Sequence, residues 1–123
     1  MGTPISVLSK QFVVAGGATV NWDINLEKFN PDGFQSIQIS LSGGGNVDVS
    51  WKVSNDGVLY LKPSSQDNVL LTAFDAASGE DGNGTEFIHN DEIQNPISHF
   101  LRFIFEEKSG EEDVTLTVKI ALA

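Results

Sequence analysis

Hydrophobic and polar residues alternate along most of this chain. Side chains on a strand point to opposite faces with a period of two, so such alternation predicts strands with one buried and one wet face. The cleanest case is Val47, Val49, Trp51 and Val53, set between Asp48, Ser50 and Lys52. Near the C-terminus Val114, Leu116, Val118 and Ile120 alternate with Thr115, Thr117 and Lys119. Before it lies the β-rich run Phe100 to Phe105, and Lys108-Ser109-Gly110 supplies a turn. The segment from His99 to Ala123 therefore reads as one long β-hairpin.

Other segments follow the same logic. Ile5 to Val14 is a strand candidate bounded by Gly16-Gly17, and Ala18 to Ile24 is a second with Val20, Trp22 and Ile24 on one face. Asn30-Pro31-Asp32-Gly33 is a turn, because proline presets φ and glycine permits positive φ. Phe34 to Leu41 places Ile37, Ile39 and Leu41 together. Ser54-Asn55-Asp56-Gly57 suits a hairpin turn with Val58 to Lys62 returning. Val69 to Phe74 is a strand, Asp75 to Thr85 a polar loop, Glu86 to His89 a short strand, and Asn95-Pro96 a break. No segment has helical periodicity. Short strands at about 8 to 12 residue spacing predict an all-β fold, an antiparallel β-sandwich or jelly roll of about eight strands.

The chain has 123 residues, which suits a single domain spanning 1–123 and is long enough to build a core without staples. It has no cysteine, so disulfides, thiolate metal sites and a cysteine nucleophile are excluded. Seven basic residues against 17 acidic ones give a net charge of −10. That charge repels phosphate backbones and anionic lipid, so neither nucleic acid nor membrane is expected as a partner. The first residues lack the basic and apolar pattern of a secretion signal, so none is expected, and no stretch approaches the ~20 apolar residues of a membrane helix.

Few residues carry candidate chemistry. The twelve-residue loop Asp75 to Glu86 has a carboxylate at each end, like a calcium-binding EF-hand loop, with Asp81 between them. Asp75, Asp81 and Glu86 are thus the candidate calcium ligands. The inner positions depart from that pattern, since Ala77, Gly79 and Glu80 stand where two oxygen ligands and a glycine belong. A solvated loop at a sheet edge is the competing reading. The run Glu106-Glu107, Glu111-Glu112-Asp113 reads as a wet hairpin tip that discourages edge pairing. His89 and His99 are the only imidazoles, and neither a G-x-S-x-G elbow nor an H-E-x-x-H motif accompanies them. No catalytic or cofactor-binding residue is assigned. Trp22 and Trp51 fall in phase with aliphatic core positions, whereas Tyr60 lies opposite Leu59 and Leu61. Tyr60 is the candidate ligand or partner contact. Arg102 alternates out of phase with Leu101 and Phe103 and is expected to pair with a carboxylate across the hairpin.

Taken together, Val47 to Val53, the turn Ser54 to Gly57, the run Phe100-Leu101-Arg102-Phe103 and the final strand Val114 to Ala123 resemble a group of small bacteriophage structural proteins. The chain departs from that pattern where Val58-Leu59 replaces an aromatic after the Asp-Gly turn. The resemblance implies a non-enzymatic virion protein, such as a capsid decoration or head accessory subunit. It implies contact with other virion proteins, self-association (a trimer among the possibilities), and a place in the virion or, before assembly, the host cytoplasm. The alternative is a carbohydrate- or ligand-binding β-sandwich module, stabilised by calcium and using Tyr60.

Overall fold

A computed structural model describes residues 6–26, 34–64, 67–89 and 99–122. The strands are β1 (Ser6–Val14), β2 (Thr19–Asn25), β3 (Phe34–Gly43), β4 (Val47–Ser54), β5 (Val69–Phe74), β6 (Thr85–His89), β7 (Phe100–Glu107) and β8 (Val114–Leu122). They form two four-stranded sheets. Sheet A runs β1-β8-β3-β6 and sheet B runs β2-β7-β4-β5. Every pairing is antiparallel. The first strand pairs with the last, the second with the seventh, the third with the sixth and the fourth with the fifth, as though one long hairpin had been rolled up. That wrapping is the jelly roll. The turn at 27–33 and the break at Asn95-Pro96 lie outside the described residues.

The alternation explains the core. Ile37, Ile39, Leu116, Val118 and Ile120 from sheet A face Val47, Val49, Trp51, Leu101, Phe103 and Phe105 from sheet B, all buried. Each such side chain contributes roughly 1.5–3 kcal/mol by leaving water. Trp51 has no exposed surface, and its indole N–H lacks an acceptor. Trp22 is partly buried against this core.

Two expectations are corrected. β7 and β8 are not a hairpin, because they lie in opposite sheets and the 108–113 loop crosses the sandwich. Alternation fixes which face of each strand is apolar, and two such strands can bury those faces against each other as well as side by side. The return after the Ser54–Gly57 turn is also reduced, to a single bridge between Val53 and Leu61. The turn itself is well built. The Asp56 carboxylate accepts hydrogen bonds from the Val58 amide (2.8 Å) and the Leu59 amide (3.0 Å).

Candidate functional site

The crossing between β7 and β8 is held by a buried acid. Glu107 falls in phase with Phe103 and Phe105 and is 2% exposed. Its carboxylate accepts hydrogen bonds from the amides of Gly17 (3.1 Å), Asn46 (2.9 Å), Ser109 (3.0 Å) and Gly110 (2.8 Å), and from the Ser109 hydroxyl (2.8 Å). Three loops, β1–β2, β3–β4 and β7–β8, are thereby tied at one end of the sandwich. Burial pushes this carboxyl up, but the bonds from Ser109, Asn46 and Gly110 outweigh it and hold the group at about 2. With its oxygens so engaged, Glu107 is a fastener. The acidic run is therefore more than a wet tip: Asp113 accepts from the Gly16 amide (3.0 Å), and Glu106 pairs with Lys108 (3.1 Å).

The outer faces of the two sheets differ. On sheet B, Asp23, Arg102 and Lys52 form one row across β2, β7 and β4. Arg102 holds both Asp23 oxygens, at 2.6 and 3.0 Å. This partner sits on the neighbouring strand of the same sheet, not across a terminal hairpin. The Arg102 guanidinium also lies 3.8 Å from the centre of the Tyr60 ring. Tyr60 is half-buried, and burial followed by the Asp23 charge pushes its hydroxyl up. The tyrosine singled out in the sequence is thus occupied on one face by the protein itself, anchoring the 55–62 segment over sheet B.

On sheet A the outward rows are Ser9–Lys119–Gln38–Phe87, Gln11–Thr117–Ser40–Thr85 and Val13–Thr115–Ser42. Among these residues Lys119 carries the only charge and there is no carboxylate. Val7, Val13 and Phe87 stand more or less half-exposed on this face, at 61%, 58% and 50%.

At its β6 edge the face runs into a cavity of about 300 Å³ lined by Gln38, Glu80, Asp81, Thr85, Glu86 and Phe87. The loop behind it is shaped from within. Asp75 accepts from the Ala77 amide (3.0 Å) and the Ser78 hydroxyl (2.8 Å), and these bonds, the hydroxyl first, draw its carboxyl below the usual range. Leu41 donates to the Gly84 carbonyl (2.8 Å), docking the loop on β3. Gly79 and Gly84 have φ of 94° and 76°, and a Cβ at either would run into the carbonyl of Thr85 or Leu41. Of the three candidate calcium ligands, Asp81 and Glu86 line the cavity while Asp75 is turned to Ala77 and Ser78 within its own loop. Among the described residues no three acidic or imidazole groups converge as a metal ion requires. The twelve-residue spacing matched an EF-hand loop, but the chain between its ends folds on glycine turns.

His99 is exposed, and its backbone amide donates to Asn55 (3.2 Å). The cavity pairs Gln38 with Phe87, neighbours only through the β3–β6 pairing, so no local pattern announces it.

No family model matches the chain, and no curated protein does either. Solved structures are similar in shape. The Yersinia pseudotuberculosis-derived mitogen aligns with a TM-score of 0.50 at 7% identity, over 94% of this chain and 85% of that one. The SPBc2 prophage-derived protein YomS aligns at 0.49 and 13% identity, over 98% and 97%. The xylan-binding module CBM86 of Roseburia intestinalis aligns at 0.46 and 11%, over 98% and 97%. At 7% identity the likeness to the mitogen is one of fold alone. Among the described residues no helix is long and apolar enough to cross a membrane.

Proposed function

We propose that the protein is a non-enzymatic structural or accessory subunit of a phage-like particle, working through protein–protein contacts. The outer face of sheet A is the contact surface, and further copies of the chain are its first partners. One observation carries this reading: in a chain of net charge −10, the described outward rows of β1, β8 and β3 hold no carboxylate, and Glu80, Asp81 and Glu86 gather only at the β6 margin. Two copies repel each other wherever acidic surfaces meet, so a carboxylate-free sheet lets them approach at least cost. Depletion of charge also marks the centre of protein interfaces. Val7 and Val13 add exposed apolar surface on β1. The resemblance of the 47–57, 100–103 and 114–123 segments to phage structural proteins supports the particle setting.

Light scattering across a range of concentrations tests it. The reading expects a closed oligomer, a whole multiple of the 13.3 kDa chain. A strict monomer at high concentration that also fails to bind any virion surface contradicts it.

A further inference from the structure

The cavity at the β6 edge has a chemistry of its own, although Gln38, Thr85 and Phe87 belong both to it and to the margin of the outer face of sheet A. Val7 and Val13 lie on β1, three strand spacings away, roughly 14 Å at the usual separation of neighbouring strands. We infer that this cavity binds a neutral, hydroxyl-rich ring, such as one sugar unit of a glycan. Its volume of about 300 Å³ stands at the small end of the roughly 300–1,000 Å³ typical of small-molecule sites.

The lining decides the class. Phe87 is 50% exposed and brings an aromatic surface to the cavity, suited to the C–H face of a pyranose. Gln38 stands directly opposite it across the β3–β6 pairing and offers both an amide donor and an acceptor. The Thr85 hydroxyl donates to Asn83 and so offers the ligand an acceptor, as do Glu80, Asp81 and Glu86. Those carboxylates repel an anionic ligand. They also do not serve a metal ion, because no three acidic or imidazole groups among the described residues converge on one point. Acceptors dispersed around a cavity match hydroxyl donors dispersed around a ring. The glycine turns at 79 and 84 and the Leu41–Gly84 hydrogen bond hold the acidic loop against β3, so the wall is built before any ligand arrives.

The test is titration of the ¹⁵N-labelled full chain with maltohexaose, cellohexaose and mannohexaose, with Nα-acetyl-lysine amide as a cationic control. The expected result is that one of the sugars shifts the amide signals of Gln38, Thr85 and Phe87 and saturates at millimolar concentration, as a single shallow site should. Phe87→Ala and Gln38→Ala each weaken it about tenfold or more while the remaining spectrum stays folded, both side chains being at the surface. Tyr60→Ala, on the other sheet, leaves the affinity unchanged. The inference is overturned if no sugar moves these signals at about 10 mM. It is overturned equally if binding survives intact in both cavity variants, or if only the lysine amide binds.

Discussion

The two sheets of this sandwich bury much the same kind of surface and show opposite ones. Sheet B presents Asp23, Arg102, Lys52, Asp48 and Glu106, and covers part of this surface with the 55–62 segment through the Tyr60–Arg102 stack. In its described outward rows sheet A presents serine, threonine and glutamine, with Val7, Val13 and Phe87, around the one charge of Lys119. One face pairs Arg102 with Asp23 and Glu106 with Lys108. The other leaves small neutral groups facing outward in a chain that is otherwise strongly acidic. Strand pattern alone makes these sheets equivalent. What distinguishes them is the chemistry of the residues that alternation sends outward.

The largest effect should come from loosening the fastener on which both faces depend. Glu107→Ala leaves the Gly17, Asn46, Ser109 and Gly110 amides without their acceptor, and buried unpaired donors are costly. Thermal unfolding should show a fall in Tm greater than for any single substitution on either outer face. The same residue sets an acid limit. Its folded value of about 2 lies below its ordinary 4.5, so its contribution is complete above about 4.5 and is lost as pH falls towards 2. Glu107→Gln should remove that part of the pH dependence, read from urea unfolding between pH 2 and 6.

Next in size is a change that makes the two faces alike. Thr117→Glu sets a carboxylate in the middle of sheet A and should reduce the oligomer to monomers. Ser50→Glu sets the same charge in the middle of sheet B and should leave the mass unaltered. Light scattering separates the two, and equal effects would erase the distinction between the faces.

Smaller still is the loss of the Tyr60–Arg102 contact. Tyr60→Leu should destabilise by about 0.5–1 kcal/mol, the usual worth of an exposed cation–π contact, without changing self-association. Trp51→Phe probes the core that both sheets share. It deletes an indole N–H that has no acceptor, so the lost packing is partly offset and the cost should fall well short of the roughly 3–5 kcal/mol of Trp51→Ala.

Much of the fold was legible in the chain because alternation is a local signal. β5 occupies the span expected for it, β3 and β8 bury the residues their pattern nominated, and β4 buries Val47, Val49 and Trp51 but leaves Val53 partly exposed and buries Ser54 beside it. Pairing is not local. Phe100 to Glu107 and Val114 to Leu122 looked like neighbours because a turn joins them, yet each pairs with strands far away in sequence. Glu107 offered a signal that went unread: it keeps the inward parity of Phe103 and Phe105, which a wet tip would not require. Of the cavity only Asp81 and Glu86 stood out in the chain, as part of an acidic loop, because Gln38, Glu80 and Phe87 meet only through the β3–β6 pairing and the loop that folds over it.

The central claim is that sheet A, and not sheet B, is the contact face. The chain lacks cysteine, so Ser40→Cys and Ser50→Cys each introduce a lone thiol, one near the centre of each outer face. The measurement is the rate of thiol labelling as protein concentration rises. With sheet A as the contact face, labelling of the Ser40→Cys thiol slows steeply with concentration while labelling of the Ser50→Cys thiol does not change. Protection of the sheet B thiol, or of neither, would contradict it.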